Sequence, residues 1–445
     1  MLTNSNDMKT NKTYDIFISH SSKDNDFCDR LFGLLDKAGF SVWYDKTSLL
    51  PNTHLTSDLP EYIQECKSLI VVLSNNSCDS QWVKEEYAFA KDLMNRKELT
   101  IIPVVIDDCK LPGFYNNYKW VDCRQGLLPF SFFMILSAMY GSSENVREMR
   151  DVYVSYSWRK EEQAMNKKVF SRLHKYQMRI IGDASSQIVY DENDRVSKIM
   201  NTCGGFVGIV PYRKEANTSK YVLDEINKAK ACGLNSVYIV DSRVELPDEF
   251  KDDEDHMLKV DDPENINDNE LKNIIQKLEI KRPKTPHVFF ATNLDKQRKS
   301  INQLARNLAG SVTATPCILG EDINQGNLQL QIINMIKNAY VMIADITGDG
   351  QCNDCEKIGT ESKDKAYRFN TCIEAGIARG ANTDLYLVAK EPRHAPPFMF
   401  RDINVRYYAD DCELLAIVHK ILRPYRRSVL NSRYSEDTQK FSIQE

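Results

Sequence analysis

Two side chains that can act together on a ligand stand four residues apart in the segment WVKEEYAFAKDLM, whose apolar spacing predicts a helix. At about 3.6 residues per turn, Trp82 and Glu86 lie on one face of that helix. A carboxylate can stabilise positive charge that develops during a reaction, and an indole ring can stack on a flat ligand. The alternatives are an exposed helix charge for Glu86 and a core position for Trp82. The adjacent Glu85 points elsewhere and is a built-in control.

The strands around this helix predict which other side chains share its crevice. Short apolar runs (YDIFIS, SVWYD, SLIVVLS and TIIPVVID) alternate with helical segments, which is typical of a parallel sheet covered by helices. Ligands bind beyond the carboxyl ends of such strands. Besides the helix start near Trp82, that edge holds four polar residues: Ser19, His20, Asp45 and Ser74.

The same alternation of strands and helices occurs three times along the 445 residues. It predicts an α/β protein of three tandem flavodoxin- or Rossmann-like units, each a doubly wound parallel sheet. The expected domains are residues 12–142, 150–280 and 286–426. We interpret the acidic run 246–270 as a solvated connection, and we expect the polar tail after Arg427 to fray.

Composition and charge narrow the class of protein. The chain has 58 Lys and Arg against 63 Asp and Glu, a net charge of −5, which argues against direct nucleic-acid binding. The longest charge-free apolar stretch, Leu127 to Gly141, is shorter than the roughly 18 residues of a membrane span, so a buried or interdomain helix is predicted. No signal peptide is visible, and we expect a cytoplasmic protein with reduced cysteines and no membrane contact.

Three segments of the first unit together carry a resemblance to the TIR domain family. They are YDIFISHSSKD, then SVWYD with a long loop after it, and LIVVLSNNSCDSQWVKEE, all within residues 12 to 125. The last segment contains the Trp-x-x-x-Glu spacing of the TIR domains that consume NAD+. The loop after the second strand departs from the family, because Asn52 stands where many members have Gly.

The resemblance implies that the first unit cleaves the bond between nicotinamide and ribose in NAD+, which is then a substrate and not a cofactor. Glu86 would be the catalytic carboxylate that stabilises the oxocarbenium-like charge on the ribose. Substrate-binding roles would fall to Trp82, Ser19, His20 and Asp45. Because TIR enzymes often complete their crevice with a neighbouring protomer, a homo-oligomer is expected on activation.

The second unit has a similar but weaker signature. Tyr221 and Glu225 are four residues apart after the strand GGFVGIVPY, and the opening strand ends in SYSWRKEE, so this unit resembles a divergent TIR domain. Asp183, in the loop IGDASSQ, and Arg213 indicate a crevice for a polar or phosphorylated ligand. Ligand sensing, assembly and a second NAD+-cleaving site all remain open for this unit.

The third unit resembles the nucleoside 2-deoxyribosyltransferase family in the segments IADIT and FNTCIEAGIARGA. In that family an Asp after the strand and a Glu in the following helix handle the nucleoside. The matching residues are Asp345 and Glu374, with Asn370 four residues before Glu374. An insertion between the segments carries Cys352 and Cys355, but structural zinc needs four ligands and no second pair is spaced suitably, so no metal is expected.

Three hypotheses of function follow. The first is a TIR NAD+ glycohydrolase that yields nicotinamide and either ADP-ribose or a cyclic ADP-ribose. Its C-terminal half would gate it by sensing a nucleotide second messenger or by driving assembly, in bacterial antiphage defence. The second is a non-catalytic TIR scaffold or signalling adaptor. The third is a nucleoside or nucleotide N-glycosidase with its active site in the C-terminal unit.

Overall fold

The structure is a computed structural model. It describes residues 13–44, 62–78, 99–111, 119–140, 150–182, 195–278, 287–322, 328–348, 368–391, 397–435 and 440–443. The following residues of the sequence analysis lie outside these ranges: Asp45, Asn52, Trp82, Glu85, Glu86, Asp183, Cys352 and Cys355.

The first unit is built on a parallel sheet with the order β2-β1-β3-β4-β5. Its elements are β1 (Tyr14–Ser19), α1 (Asn25–Lys37), β2 (Val42–Trp43), β3 (Cys66–Leu73), β4 (Thr100–Val105), β5 (Val121–Asp122) and α2 (Pro129–Ala138). The central strand β3 is apolar and almost wholly buried, as expected of a strand in the middle of a parallel sheet.

The second unit repeats this plan with the parallel order β10-β9-β8-β6-β7. Its elements are β6 (Arg150–Ser155), α3 (Gln163–Lys175), β7 (Met178–Gly182), α4 (Arg195–Asn201), β8 (Gly205–Val210), α5 (Lys220–Ala231), β9 (Ser236–Asp241), β10 (Met257–Val260) and α6 (Asp268–Gln276).

The interpretation of the acidic run 246–270 as a solvated connection was wrong. The run contains a 3-10 helix (Asp248–His256), the edge strand β10 and the first turn of α6. Three of its apolar side chains are buried and anchor it to the unit: Phe250, Val260 and Ile266. The high charge of the run masked these anchors, because most of its residues are indeed exposed.

The third unit has the parallel order β12-β11-β13-β14-β15. Its elements are β11 (Val288–Ala291), α7 (Lys299–Thr313), β12 (Cys317–Leu319), α8 (Leu328–Asn338), β13 (Val341–Asp345), α9 (Phe369–Gly380), β14 (Asp384–Lys390), β15 (Val405–Tyr408) and α10 (Asp411–Leu422).

All three units share one strand order. In each unit the first strand lies between the second and the third, which gives the flavodoxin-like order 2-1-3-4-5. The predicted fold class, three doubly wound α/β units in tandem, is confirmed. The direction of winding reverses between the first and third strands of each sheet, so a ligand crevice is expected at the carboxyl ends of those two strands.

The expectation that the tail frays after Arg427 was wrong. Strands β16 (Ser428–Ser435) and β17 (Lys440–Ile443) extend the second sheet to seven strands, and β16 runs antiparallel to β7. Leu430 is buried so close to Gly182 that a Cβ on that glycine would lie 2.7 Å from Leu430 Cδ1. Arg427 donates to a buried carboxylate of the same unit, Asp151, over 2.6 Å. The chain therefore returns from the third unit to complete the second.

Helix α10 joins the first unit to the third. Nine of its twelve residues are buried, because it packs against α1 and α2 of the first unit as well as against α7 of the third. The apolar side chains of both units form one continuous core around it. The prediction that Leu127 to Gly141 holds a buried or interdomain helix is confirmed, since α2 lies in this joint.

Polar side chains of α10 and the turn after it fix this joint. His419 is fully buried; its Nδ1–H donates to the carbonyl of Ala38 over 2.7 Å, and its Nε2 accepts from Tyr140 Oη. Arg423 donates to Asp15 over 2.9 Å, and both side chains are buried. A neutral imidazole satisfies both of its hydrogen bonds here, whereas a protonated one would face the tyrosine hydroxyl with a second donor.

We expect the joint to make the protein acid-sensitive. Burial lowers the pKa of His419 from 6.5 to about 3. Below pH 6.5 the His419 side chain is therefore protonated in the unfolded chain but stays neutral in the folded chain. The free energy of unfolding is highest above that pH and declines as the pH falls towards 3. At pH 5 the loss in the free energy of unfolding amounts to about 2 kcal/mol. Urea unfolding at pH 7 and pH 5 measures it. His419→Gln should remove this part of the pH dependence, while the exposed-site control His256→Gln should keep it.

Candidate functional site

The carboxyl edge of the first sheet carries polar side chains where the sequence predicts them. Ser19 ends β1 and His20 follows it, while Ser74 directly follows β3. These are the first and third strands of the unit, so the residues lie at the reversal of winding where a crevice is expected. Ser19 and Ser74 are both buried beneath the edge, and His20 is 9% exposed.

Asp24 links the two loops of this edge. Its Oδ2 accepts from Ser74 Oγ over 2.6 Å, and its Oδ1 accepts from Asn76 Nδ2 over 2.7 Å. Asp24 stands at the end of a 3-10 turn that begins after Ser21 and leads into α1. The carboxylate therefore ties the loop after β1 to the turn after β3. Sequence reasoning missed this role, although the polar loop SSKD after a buried strand is a signal for it.

His20 is held at the start of α1. Its Nε2 is 3.0 Å from Asn25 Oδ1, and its ring centroid lies 5.1 Å from that of Tyr44. Tyr44, which follows β2, donates in turn to Asp29 over 2.7 Å. The imidazole therefore lies between the loops that follow β1 and β2, where it can contact a ligand in the crevice.

Three predicted residues of this site fall outside the described part of the chain. They are Asp45, Trp82 and Glu86. Tyr44 is the last described residue before Asp45, and Cys78 is the last described residue before Trp82 and Glu86. Both belong to the carboxyl edge of the sheet, because Tyr44 follows β2 and Cys78 closes the turn after β3. The roles predicted for the three residues stay predictions.

In the second unit the structure describes two of the predicted residues, Arg213 and Glu225, and both form hydrogen bonds within the unit. Arg213 donates to Glu162 over 2.7 and 2.9 Å and to Ser157 Oγ over 3.0 Å. Glu225 is 2% exposed and accepts from Tyr153 Oη over 2.7 Å. Both groups make structural contacts between elements of the unit. Any role of theirs towards a nucleotide, like that of Asp183, stays a prediction.

Asp345 ends β13 in the middle of a closed polar network. The carboxylate accepts from Tyr408 Oη over 2.8 Å, from Arg298 Nη2 over 3.1 Å and from the backbone N–H of Thr347 over 3.1 Å. Arg298 also pairs with Asp411 at the start of α10, over 3.0 Å. Asp345 is 3% exposed, so this network joins the edge of the third sheet to α10 and leaves the carboxylate little access to a ligand.

Glu374 differs from Asp345. It lies on α9, partly buried, and burial raises the pKa of its carboxyl from 4.5 to about 7. Among the residues that the structure describes, none forms a hydrogen bond or ion pair with it. Asn370, four residues earlier on the same helix, is exposed. A carboxyl group that is half protonated near neutral pH is suited to proton transfer.

The described ranges contain neither a metal-binding cluster nor a membrane-spanning helix. No group of three or more His, Cys, Asp or Glu side chains that could hold a metal ion occurs there. None of the helices within these ranges is long and apolar enough to cross a bilayer.

The first unit is similar to a known protein family. The family model of the TIR domain matches residues 16–148, so the chain carries a TIR domain at its N-terminal end. A probable 2′ cyclic ADP-D-ribose synthase, TcpO of Methanobrevibacter olleyae, is 35% identical over 85 residues, 19% of this chain and 25% of that protein. The NAD(+) hydrolase PdTIR of Paracoccus denitrificans is 32% identical over 103 residues, 23% of this chain and 34% of that protein.

A solved structure is also similar to part of the chain. The TIR domain of the Toll-related receptor TRR-2 from Hydra magnipapillata is 21% identical, with a TM-score of 0.23, and the match covers 25% of this chain and 84% of that one. The chain spans only a quarter to a third of the length of the curated relatives named above. The likeness to those relatives is thus a likeness of one unit.

Proposed function

We propose that the first unit is an NAD+ glycohydrolase, which releases nicotinamide and leaves ADP-ribose or a cyclic ADP-ribose. The observation that carries this is the TIR match over residues 16–148 together with the Trp82 and Glu86 spacing inside it. Relatives of this unit are named as NAD+ hydrolases and cyclic ADP-ribose synthases. The described edge, with His20 beside the reversal of winding, lies where a doubly wound sheet binds its ligand.

The chemistry needs little from the protein besides electrostatics. When the bond between C1′ of the ribose and the pyridinium nitrogen breaks, its electron pair neutralises the ring, so nicotinamide leaves without a general acid. Positive charge then develops on the ribose, and the Glu86 carboxylate stabilises it. Water attacks C1′ and loses a proton to give ADP-ribose, or a nucleophile of the same ligand attacks to give a cyclic product.

The remaining residues of the proposed site would position the dinucleotide. Trp82 would stack on the nicotinamide, while Asp45 and His20 would contact the sugar or the phosphates from the loops at the same edge. The described geometry supports this most directly for His20, which lies between the loops after β1 and β2. Ser19 is buried beneath the edge and would act by holding the loop.

Incubation of the full chain with NAD+ tests this function. Chromatography of the reaction should show nicotinamide and an equal amount of ADP-ribose or cyclic ADP-ribose. The assay should cover a range of protein concentrations and include nucleotides as candidate activators. A protein that releases no nicotinamide under any of these conditions would support the non-catalytic scaffold or adaptor instead.

The wider role that we propose is that of a gated effector in bacterial antiphage defence. An enzyme that consumes NAD+ in the cytoplasm harms its own cell, so its activity needs control. The C-terminal half would supply that control by responding to a nucleotide signal or by driving formation of a homo-oligomer. The buried joint at α10 supports such control, since it joins the first unit to the third through one continuous apolar core.

A second candidate function rests on Glu374. A half-buried carboxyl with a raised pKa could protonate the leaving base of a nucleoside or nucleotide, which would make the third unit an N-glycosidase. Asp345 supports this candidate less, because its carboxylate is already used by Tyr408 and Arg298.

This candidate predicts a distinctive pH profile. If Glu374 acts as the acid, kcat/KM for nucleoside cleavage should be constant below about pH 7 and fall about tenfold per pH unit above it, because the protonated form is lost. Glu374→Gln should abolish the cleavage, and Glu321→Gln, an exposed acid of the same unit, should not. Chromatography of the released base measures the cleavage rate. A rate that is independent of pH between 6 and 9 would contradict the role of Glu374 as the acid.

A further inference from the structure

A cavity lies on the side of the first unit opposite to its candidate active-site edge. Its volume is about 460 Å³, within the range of cavities that hold small ligands. Residues from the amino ends of β1 and β2 and from the last turns of α1 line one side of it. The other side consists of Arg195 at the start of α4, Lys420 near the end of α10, and the turn after α10. Parts of all three units therefore meet around the cavity.

The walls carry more positive than negative charge. Arg195, Lys420 and Arg423 line the cavity, and Asp36 is the one acid among its described lining residues. Asp15 lies behind the wall, where it pairs with Arg423 over 2.9 Å and with Lys67 over 3.7 Å. Among the described residues, four cations thus accompany two carboxylates, a local net charge of +2 in a chain whose net charge is −5. An anion is the charge that this arrangement favours.

The electrostatics of Lys67 give independent support. The pKa of Lys67 is lowered to about 8, mainly by burial; the neighbouring positive charges of Arg423 and Arg195 contribute to this lowering, and Asp15 opposes it. The cations around the cavity are therefore close enough to repel one another. A bound anion would relieve that repulsion, which adds to its own attraction to the walls.

Aromatic rings line the same cavity. Phe32 and Tyr14 are partly buried, and Phe40 lies beneath Arg423, whose guanidinium carbon is 5.5 Å from the ring centroid. Aromatic faces beside guanidinium groups accept a flat base next to a phosphate. The chemistry of the lining therefore matches a ligand that has an aromatic base at one end and phosphate at the other.

Helix α1 connects this cavity with the candidate active-site edge. Its first residue, Asn25, contacts His20, and Asp24 just before it binds the turn after β3. Its last turns place Phe32 and Asp36 in the cavity wall. The thirteen residues of α1 span about 20 Å, so the two sites are separate but share one rigid element.

We propose that this cavity binds a nucleoside phosphate, with the phosphate on Arg195, Lys420 and Arg423 and the base against Phe32 and Tyr14. The occupied cavity clamps the first unit, α4 and α10 together. A regulatory effect of the ligand on NAD+ cleavage rests on the proposed function of the first unit. Binding itself does not, because it can be measured in the absence of NAD+.

Isothermal titration calorimetry of the full chain tests the proposal. The probes are the four ribonucleoside 5′-monophosphates, the corresponding nucleosides, ribose 5-phosphate and inorganic phosphate. At least one monophosphate should bind more tightly than its nucleoside and more tightly than either phosphate without a base. Equal binding of inorganic phosphate, or binding of no monophosphate at all, overturns the proposal.

Two charge changes in opposite directions distinguish binding in this cavity from binding elsewhere. Lys420→Glu should weaken the monophosphate on the order of tenfold, the size expected for one charge-assisted contact. Asp36→Asn should tighten it, because an acid leaves the wall. Both side chains are exposed at the mouth, so the fold should tolerate the changes. Lys272→Glu, on the exposed face of α6, is the matched control and should bind as the unchanged protein does. Damage to the fold cannot tighten binding, so an affinity unmoved by both Lys420→Glu and Asp36→Asn places the ligand elsewhere and refutes the proposal.

Discussion

Glu86→Gln should lower the rate of nicotinamide release from NAD+ by about 100-fold or more, the size expected when a preorganised charge is removed from a developing transition state. Glutamine has nearly the shape of glutamate but no negative charge to stabilise the positive ribose. KM should change little, because the interaction is made mainly in the transition state. Initial rates followed by chromatography of nicotinamide measure both parameters.

The chain provides its own control for this change. Glu85 is next to Glu86, so in the helix that the sequence predicts its side chain would lie about 100° away, and Glu85→Gln should retain activity within a few-fold. Equal loss of activity in both variants would mean that the segment matters only for folding. Full activity in Glu86→Gln would remove this carboxylate from the mechanism.

Arg423→Met should lower the free energy of unfolding by about 3 to 5 kcal/mol, because it leaves a buried carboxylate without its main partner. Asp15 is 5% exposed, and its remaining partners among the residues that the structure describes would be Lys67, at 3.7 Å, and the backbone N–H of Ser41, at 3.1 Å. The carbonyl of Gly39 would lose its donor as well. The first transition in urea at pH 7, followed by fluorescence, measures the effect.

An exposed ion pair across the same joint gives the matched control. Arg30 and Asp410 lie 3.5 Å apart, and both side chains are at least half exposed. Arg30→Met should therefore cost less than about 1 kcal/mol. If the two variants are equally destabilised, charge burial does not hold the joint, and the coupling of the first unit to the third needs another explanation.

The fold class could be predicted because the strands and helices of each unit have clear patterns in the local sequence. Apolar strands such as β3 and β13 are continuous buried runs, and the helices between them carry apolar stripes, so a single sequence contains the alternation. Strands β10 and β16 were missed for the opposite reason. Strand β10 is a short edge strand whose apolar residues lie inside a strongly acidic run, whereas β16 carries few apolar residues and pairs with β7, far earlier in the chain.

The joint at α10 was also missed. The segment DCELLAIVHKIL is apolar almost all round, which is typical of a helix buried on every side, but its neighbours α1 and α2 are nearly 300 residues and more away in the chain. The pairing of Arg423 with Asp15, 408 positions apart, has no signal in either local sequence. Long-range contacts of this kind decide how units dock, and periodicity does not report them.

The residues of the candidate site also fall into those that the sequence could predict and those that it could not. Spacing alone could bring Ser19, His20 and Ser74 to one edge, because the carboxyl ends of parallel strands coincide. It could not find Asp24, whose role depends on the turn after β3. Nor could it foresee that Asp345 would be used by Tyr408 and Arg298, since both come from other elements of the fold.

The most direct test compares two carboxylates in one assay. Nicotinamide release from NAD+ should be measured for the full chain, for Glu86→Gln and for Glu374→Gln, with and without the four ribonucleoside monophosphates. We predict that the unchanged protein and Glu374→Gln release nicotinamide at similar rates and that Glu86→Gln does not. Release that persists in Glu86→Gln and disappears in Glu374→Gln would contradict a catalytic first unit.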